Sequence, residues 1–236
     1  MDLFEQSWLM MDELNRELEN SELIDGLIRL DLVYQCCYIS MEHGVAVQSL
    51  LKEKLYTSAL ALFRIQFESV VRAYWVLLRA SNEQILKMQT LNVSELFKNE
   101  KMPMVSEMIE QLKNIEEIKS IALQFEEFKF YSLKHLNSIV HTGKHSIIRN
   151  AVGLTQKQSS DVMKQSNGFI SMAAQILLRH AGKEKWIHML HAKYRECFQM
   201  EEDIRPEEKQ RIDAMYKRHD LKNPQLRVFY HFLVIR

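Results

Sequence analysis

Across residues 58–79, SALALFRIQFESVVRAYWVLLR, apolar side chains recur on almost every face of a helix, and only Arg64, Glu68 and Arg72 interrupt them as a charged stripe. Such a pattern predicts a helix enclosed by others, with its charges paired. A second polar stripe, Asn137 and His141, stands near the end of an amphipathic run over 116–140 that Ile118, Ile121, Ala122, Phe125, Phe128 and Leu133 define. The two runs are expected to pack together at the centre of the molecule.

The helical period continues on either side. Leu3, Phe4, Trp8, Leu9, Met11, Leu14 and Leu18 predict a first helix, with Asp2 and Glu5 at its start to complement the helix dipole. Asn20-Ser21 breaks it, and Ser21 is placed to cap a second helix from Glu22, in which Gly26 predicts a kink or close packing and Gly44 a break. The period resumes over 45–54 and passes through Tyr56-Thr57-Ser58 into the central helix. Ser81 caps a short helix reaching Met88, 90–103 is the most loop-like stretch, and 104–113 returns to a helix. Gly143 sits where a left-handed residue would end the 116–140 helix. Residues 144–155 lose the period and predict a short extended piece or a single turn; 156–180 and 185–200 regain it, with Gly182 between them.

The chain therefore reads as all-α, a helical bundle of about seven to nine helices. The bundle is expected over residues 1–200. Residues 201–236 form a C-terminal helix opening at Pro206 and a tail docked on the bundle, whose last stretch, QLRVFYHFLVIR, is compatible with strand, helix or irregular structure. Composition agrees: 6 Gly and 3 Pro in 236 residues supply too little turn chemistry for a sheet-rich fold.

Charge adds an exclusion. Lys plus Arg and Asp plus Glu are both 31, so no global field draws the molecule to nucleic acid or membrane, and any such binding must be local. Apolar runs are broken by Arg or Glu well short of the roughly 18 residues of a membrane span, which predicts no membrane insertion. The first residues carry Asp2 and Glu5 and no basic segment, so no secretory signal is expected. Three cysteines, Cys36 beside Cys37 and a distant Cys197, cannot close a disulfide framework and suit a reducing compartment. Cytoplasmic residence is expected.

Two kinds of chemistry fit the polar stripes. Glu68 flanked by Arg64 and Arg72 at i±4 is either a packing network that satisfies itself or a network with one guanidinium left over to hold an anion. A histidine can serve as general acid or base near neutral pH, which makes His141 a candidate, with Asn137 one turn earlier to orient it; its other reading is a capping residue. His141 with His145, and His188 with His191, have helical ligand spacing but no acidic ligand beside them, so neither a metal nor any other cofactor is expected.

The segments FRIQFESVVRAYW and LNSIVHTG resemble an uncharacterised bacterial all-helical family distantly related to the HEPN-like group. The matching residues are Arg64, Phe67, Glu68, Arg72, Trp75, Leu136, Asn137, His141, Thr142 and Gly143, within a family-like core of residues 50–182. Ile65 replaces the proline of the pattern, so the helix is expected to run on there. The resemblance implies a helical bundle, often dimeric, that cleaves RNA without metal in a toxin or phage-defence system. His141, Asn137, Arg64 and Arg72 would be the catalytic residues. Glu68, Trp75, Thr142 and Gly143 would form a supporting polar network. The HEPN signature places arginine just before the polar residue; here Leu136 holds that place, so Arg64 or Arg72 must supply the cation from another helix. The alternative is a non-catalytic interaction or regulatory module, antitoxin-like or a defence-system partner. Expected partners are RNA, another protein, or a second copy joined through Trp8, Leu9, Met10 and Met11, a cluster too apolar for a solvated first helix.

Overall fold

The computed structural model describes residues 2–24, 26–89 and 102–199. Their elements run α1 (Leu3–Glu19), α2 (Ile28–Lys52), α3 (Tyr56–Leu78), α4 (Asn82–Gln89), α5 (Val105–Leu112), α6 (Lys119–Phe128), α7 (Lys134–Val140), α8 (Lys144–Val152), α9 (Gln156–His180) and α10 (Glu184–Lys193). A π-helical turn over Lys129–Leu133 joins α6 and α7 into one rod, and short 3-10 turns occupy Glu116–Ile118 and Arg195–Cys197. No strand occurs among the described residues, so the all-α expectation is met. No helix is long and apolar enough to cross a membrane, again among the described residues. Of the expected loop over 90–103, residues 90–101 lie outside them, as do the C-terminal helix and tail over 201–236.

α3 is central, as its apolar pattern predicts. Ala59, Leu60, Phe63, Phe67, Val70, Val71, Ala73, Trp75 and Val76 are at most 1% exposed. Its most extensive packing is on α2, with α5, α7 and α9 on its other sides. Phe63 and Phe67 meet Phe128 of α6 and Phe169 of α9, with Phe67–Phe128 centroids 4.2 Å apart and Phe128–Phe169 edge-on at 5.1 Å. Burying each such ring contributes about 1.5–3 kcal/mol, and edge-on pairs add to it. The packing of α3 on the 116–140 segment is thus real but shared with two longer helices.

Glycine 44 does not break α2. A Cβ there would lie 2.6 Å from Ile170 Cδ1 and 2.7 Å from Gln66 Nε2, so its missing side chain lets α2 close upon α9 and α3. Gly26 lies before α2 in a bend with φ +75° rather than in a kinked helix, and the helix begins at Ile28 instead of near Glu22. Buried amides stitch the same interface: Gln66 Nε2 donates to Ser166 O at 3.0 Å, and Gln48 Nε2 to Asn167 Oδ1 at 2.7 Å. Asn167 in turn donates to Ser7 Oγ and Cys197 O, tying α1 and the last described turn to α9.

Most of the segment 144–155 is a helix, Lys144–Val152, where the sequence predicts a single turn or extended piece. α8 exposes Ile147 and Val152 while burying Arg149, so its apolar residues obscure the period that its packing follows. The α7–α8 corner also differs in detail. Thr142, at φ +53°, takes the left-handed conformation, whereas Gly143 at φ −77° is the N-cap of α8. Gly143 is required for closeness: a Cβ would meet Ser138 Oγ at 2.6 Å and Ser138 O at 3.0 Å.

Candidate functional site

The charged stripe on α3 divides into two parts. Arg64 Nη2 pairs with Glu68 Oε1 at 2.7 Å, and Arg64 Nε donates to Asn137 Oδ1 of α7 at 2.5 Å. One guanidinium therefore engages a carboxylate on its own helix and an amide on the next, a fork that a lysine could not reproduce. Arg72 takes no part. It lies toward α2, where its charge works against burial, which pushes the Cys36 thiol up. Among the described residues Arg72 has no ion-pair partner, and the expectation that Glu68 is held between two arginines is corrected to a single pair. Nor are these charges sealed: the Arg64 and Glu68 side chains are 19% and 26% exposed.

His141 is the C-cap of α7. Its backbone N–H donates to Asn137 O at 3.1 Å, and the residue is exposed, as is Thr142. Arg64, Asn137 and His141 therefore lie along one path from the α3 edge to an accessible helix end. Trp75 belongs elsewhere. Its ring is buried and its Nε1 donates to Gln111 Oε1 of α5 at 2.7 Å, so it anchors α5 rather than joining the Arg64 network.

The histidine pairs also rearrange. His145 approaches His135, with Nε2 3.2 Å from Nδ1 and the rings edge-on, because α8 folds back along α7. His145 N donates to Ser138 Oγ at 3.3 Å and fixes that corner. Among the described residues no group of three or more His, Cys, Asp or Glu is arranged to hold a metal ion. His191 accepts or donates a short hydrogen bond with Ser171, and burial, with the nearby His188 charge, lowers its pKa to about 4.

Sequence reasoning missed His135 and Arg149 and weighed His145 only as a metal ligand beside His141, although one signal was available. From Phe128 to Ser160 the chain contains no Asp or Glu, while Lys129, Lys134, Lys144, Arg149 and Lys157 accompany His135, His141 and His145. In a chain with zero formal net charge, that run concentrates positive charge on α7, α8 and the start of α9. Lys134, His141, Lys144 and Lys157 are exposed. The His135 pKa is lowered, first by burial and then by the positive charges of His145, Lys134 and Arg149.

These features define an all-helical bundle with a cationic corner built on α7 and α8, two helices that contain no acid. The chain belongs to a family of unknown function, DUF6988, whose model matches residues 37–200. Most of α2 and everything from α3 to the last described turn fall inside that match, whereas α1 lies outside it. No curated protein and no solved structure matches the chain.

Proposed function

We propose that this bacterial protein is a metal-independent endoribonuclease of HEPN-like type, acting at the α7–α8 corner in a toxin or phage-defence system. The observation that carries the reading is an exposed His141 at the end of the helix whose Asn137 is clamped by Arg64, within a stretch lacking any carboxylate from Phe128 to Ser160. A polyanion requires such a surface, since each carboxylate nearby would repel its phosphates. His141, as general base, accepts the proton of the RNA 2′-hydroxyl as O2′ bonds to phosphorus. The P–O5′ bond breaks, the 5′-oxygen takes a proton from solvent, and a 2′,3′-cyclic phosphate remains. Arg64 Nη1, the one nitrogen of that guanidinium with no partner among the described residues, is the donor left to stabilise the charge that develops on the phosphate. Arg72 lies two helical turns along α3, about 12 Å, and serves α2 instead.

Purified protein incubated with mixed RNA in EDTA should cleave it, and His141→Ala should not. Intact RNA with the wild type, or equal cleavage by both proteins, removes the nuclease reading. A non-catalytic interaction module then takes its place, a reading favoured by the closed contacts of Arg64 with Glu68 and Asn137, which also suffice to fix α3 on α7. Pairing of two copies would use Trp8 and Leu9, 41% and 46% exposed; Met10 and Met11, expected beside them, are instead core residues at 1% and 5%. Light scattering at micromolar concentration tests that pairing, and a strict monomer excludes it.

A further inference from the structure

Arg149 is the most conspicuous charge in the bundle that the proposed cleavage does not use. It is 5% exposed, on α8, and its guanidinium is anchored along one edge only. Nη1 donates to Gly153 O at 3.1 Å and to Gln158 Oε1 at 3.4 Å. Gln158 is itself held in the capping box of α9, with Thr155 N donating to the same Oε1 at 3.0 Å, so that edge is fixed to the turn between α8 and α9. Nε and Nη2, both buried, have no hydrogen-bond partner among the described residues. Those two nitrogens form the side-on fork by which arginine takes two oxygens of one oxyanion.

Among the described residues no counter-charge accompanies it: Arg149 has no ion pair there, the sequence holds no acid from Phe128 to Ser160, and burial lowers its pKa. A buried guanidinium without an anion is destabilising, and natural proteins rarely keep one without a use for it. One turn before it on the same face of α8 stands His145, in contact with His135 of α7, and both imidazoles are only partly buried. The Arg149 charge is close enough to help lower the His135 pKa, so the three side chains gather at one corner, donors throughout when the imidazoles are protonated.

We propose that Arg149, with His135 and His145 at its mouth, forms a binding site for a phosphate-class oxyanion, either the free ion or a phosphate of an RNA strand. The site is separate from His141 and does not rest on cleavage. Its anchored edge sets the orientation, its free fork takes two phosphate oxygens, and the imidazole pair parts to admit a third.

The test follows the ring C–H signals of His135 and His145 by NMR in the full chain. Inorganic phosphate and, in a second arm, a short 5′-phosphorylated RNA are titrated against potassium chloride at matched ionic strength. Saturable shifts with either anion, absent in Arg149→Met, are expected. Saturation by RNA at tenfold or more lower concentration assigns the strand as the ligand, and equal or tighter saturation by inorganic phosphate assigns the free ion. Arg149→Met should also melt at or above the wild-type temperature without phosphate, while losing the rise that phosphate gives the wild type. The proposal is overturned if neither anion shifts the signals beyond chloride, or if Arg149→Met responds as the wild type does. Should Arg149→Met fail to fold, Arg149→Lys replaces it. Loss of the fork must then weaken phosphate saturation several-fold, and an unchanged midpoint rejects the site.

Discussion

Arg64 of α3 donates through Nε to Oδ1 of Asn137 at 2.5 Å, so the polar end of α7 is held by a side chain that also pairs with Glu68 at 2.7 Å. The contact joins positions 73 residues apart and sets α7 against α3 at the corner that displays His141. Its loss should be felt in stability as well as function. Arg64→Ala should lower the unfolding free energy by about 1–3 kcal/mol, mostly through the unmade bond to Asn137, since a partly exposed ion pair is worth little. Arg72→Ala, with no paired carboxylate to strand, should stay within about 0.5 kcal/mol of the wild type. Urea denaturation of both variants measures the difference, and equal losses would restore a single network spanning the whole stripe.

That contrast marks what the sequence could and could not convey. A strict helical period and scarce Gly and Pro made the all-α bundle and the central place of α3 legible, because both follow from local apolar spacing. Spacing alone does not say which of two equivalent i±4 neighbours Glu68 selects. Asn137 decided it by drawing Arg64 toward α7, a tertiary contact that no local pattern encodes. α8 was hidden for a related reason: Ile147, Ile148 and Val152 point outward and Arg149 inward, the reverse of the usual amphipathic order. The basic corner was readable as an acid-free run in a neutral chain, but the contact of His135 with His145 depends on α8 folding back along α7.

Gly44 offers a test of close packing. On helix propensity alone Gly44→Ala would stabilise α2 by about 1 kcal/mol. Its new methyl would, however, press on Ile170 and Gln66, which are 1% and 0% exposed and have nowhere to retreat, and Gln66 would lose its bond to Ser166 O. Overpacking of about 1–3 kcal/mol outweighs the propensity gain, so the net effect should be destabilising. A thermal midpoint at or above that of the wild type would show that α2 and α9 have room to separate.

His191 should make stability depend on pH. Its folded pKa, about 4, is depressed from 6.5 by burial beside Phe198, with the nearby His188 charge adding to it. The unfolded chain therefore binds a proton that the folded chain refuses between those values. Stability is full above pH 6.5, falls as pH drops through that window, and has lost on the order of 3 kcal/mol from this group near pH 4. His191→Asn should flatten the slope between pH 6.5 and 5, as followed by urea midpoints; an unchanged slope would assign the acid sensitivity to other groups.

Binding and cleavage of RNA should separate at the α7–α8 corner. Lys134 and Lys144 are exposed on either side of His141, and neither forms an ion pair with a described residue, so each is placed to neutralise a phosphate. Replacing either with alanine should weaken RNA binding alike across sequences and reduce the slope of log affinity against log salt by about 0.7, the single-strand value for one phosphate contact. His141→Ala should leave that slope and the fold unchanged, since the residue is exposed, while lowering the cleavage rate by about 10²- to 10⁴-fold. Fluorescence anisotropy across a salt series, run in EDTA beside the cleavage assay, reads both quantities from the same samples. A His141→Ala protein that loses affinity in proportion to rate would make this histidine a binding residue, and the general acid–base role would fall.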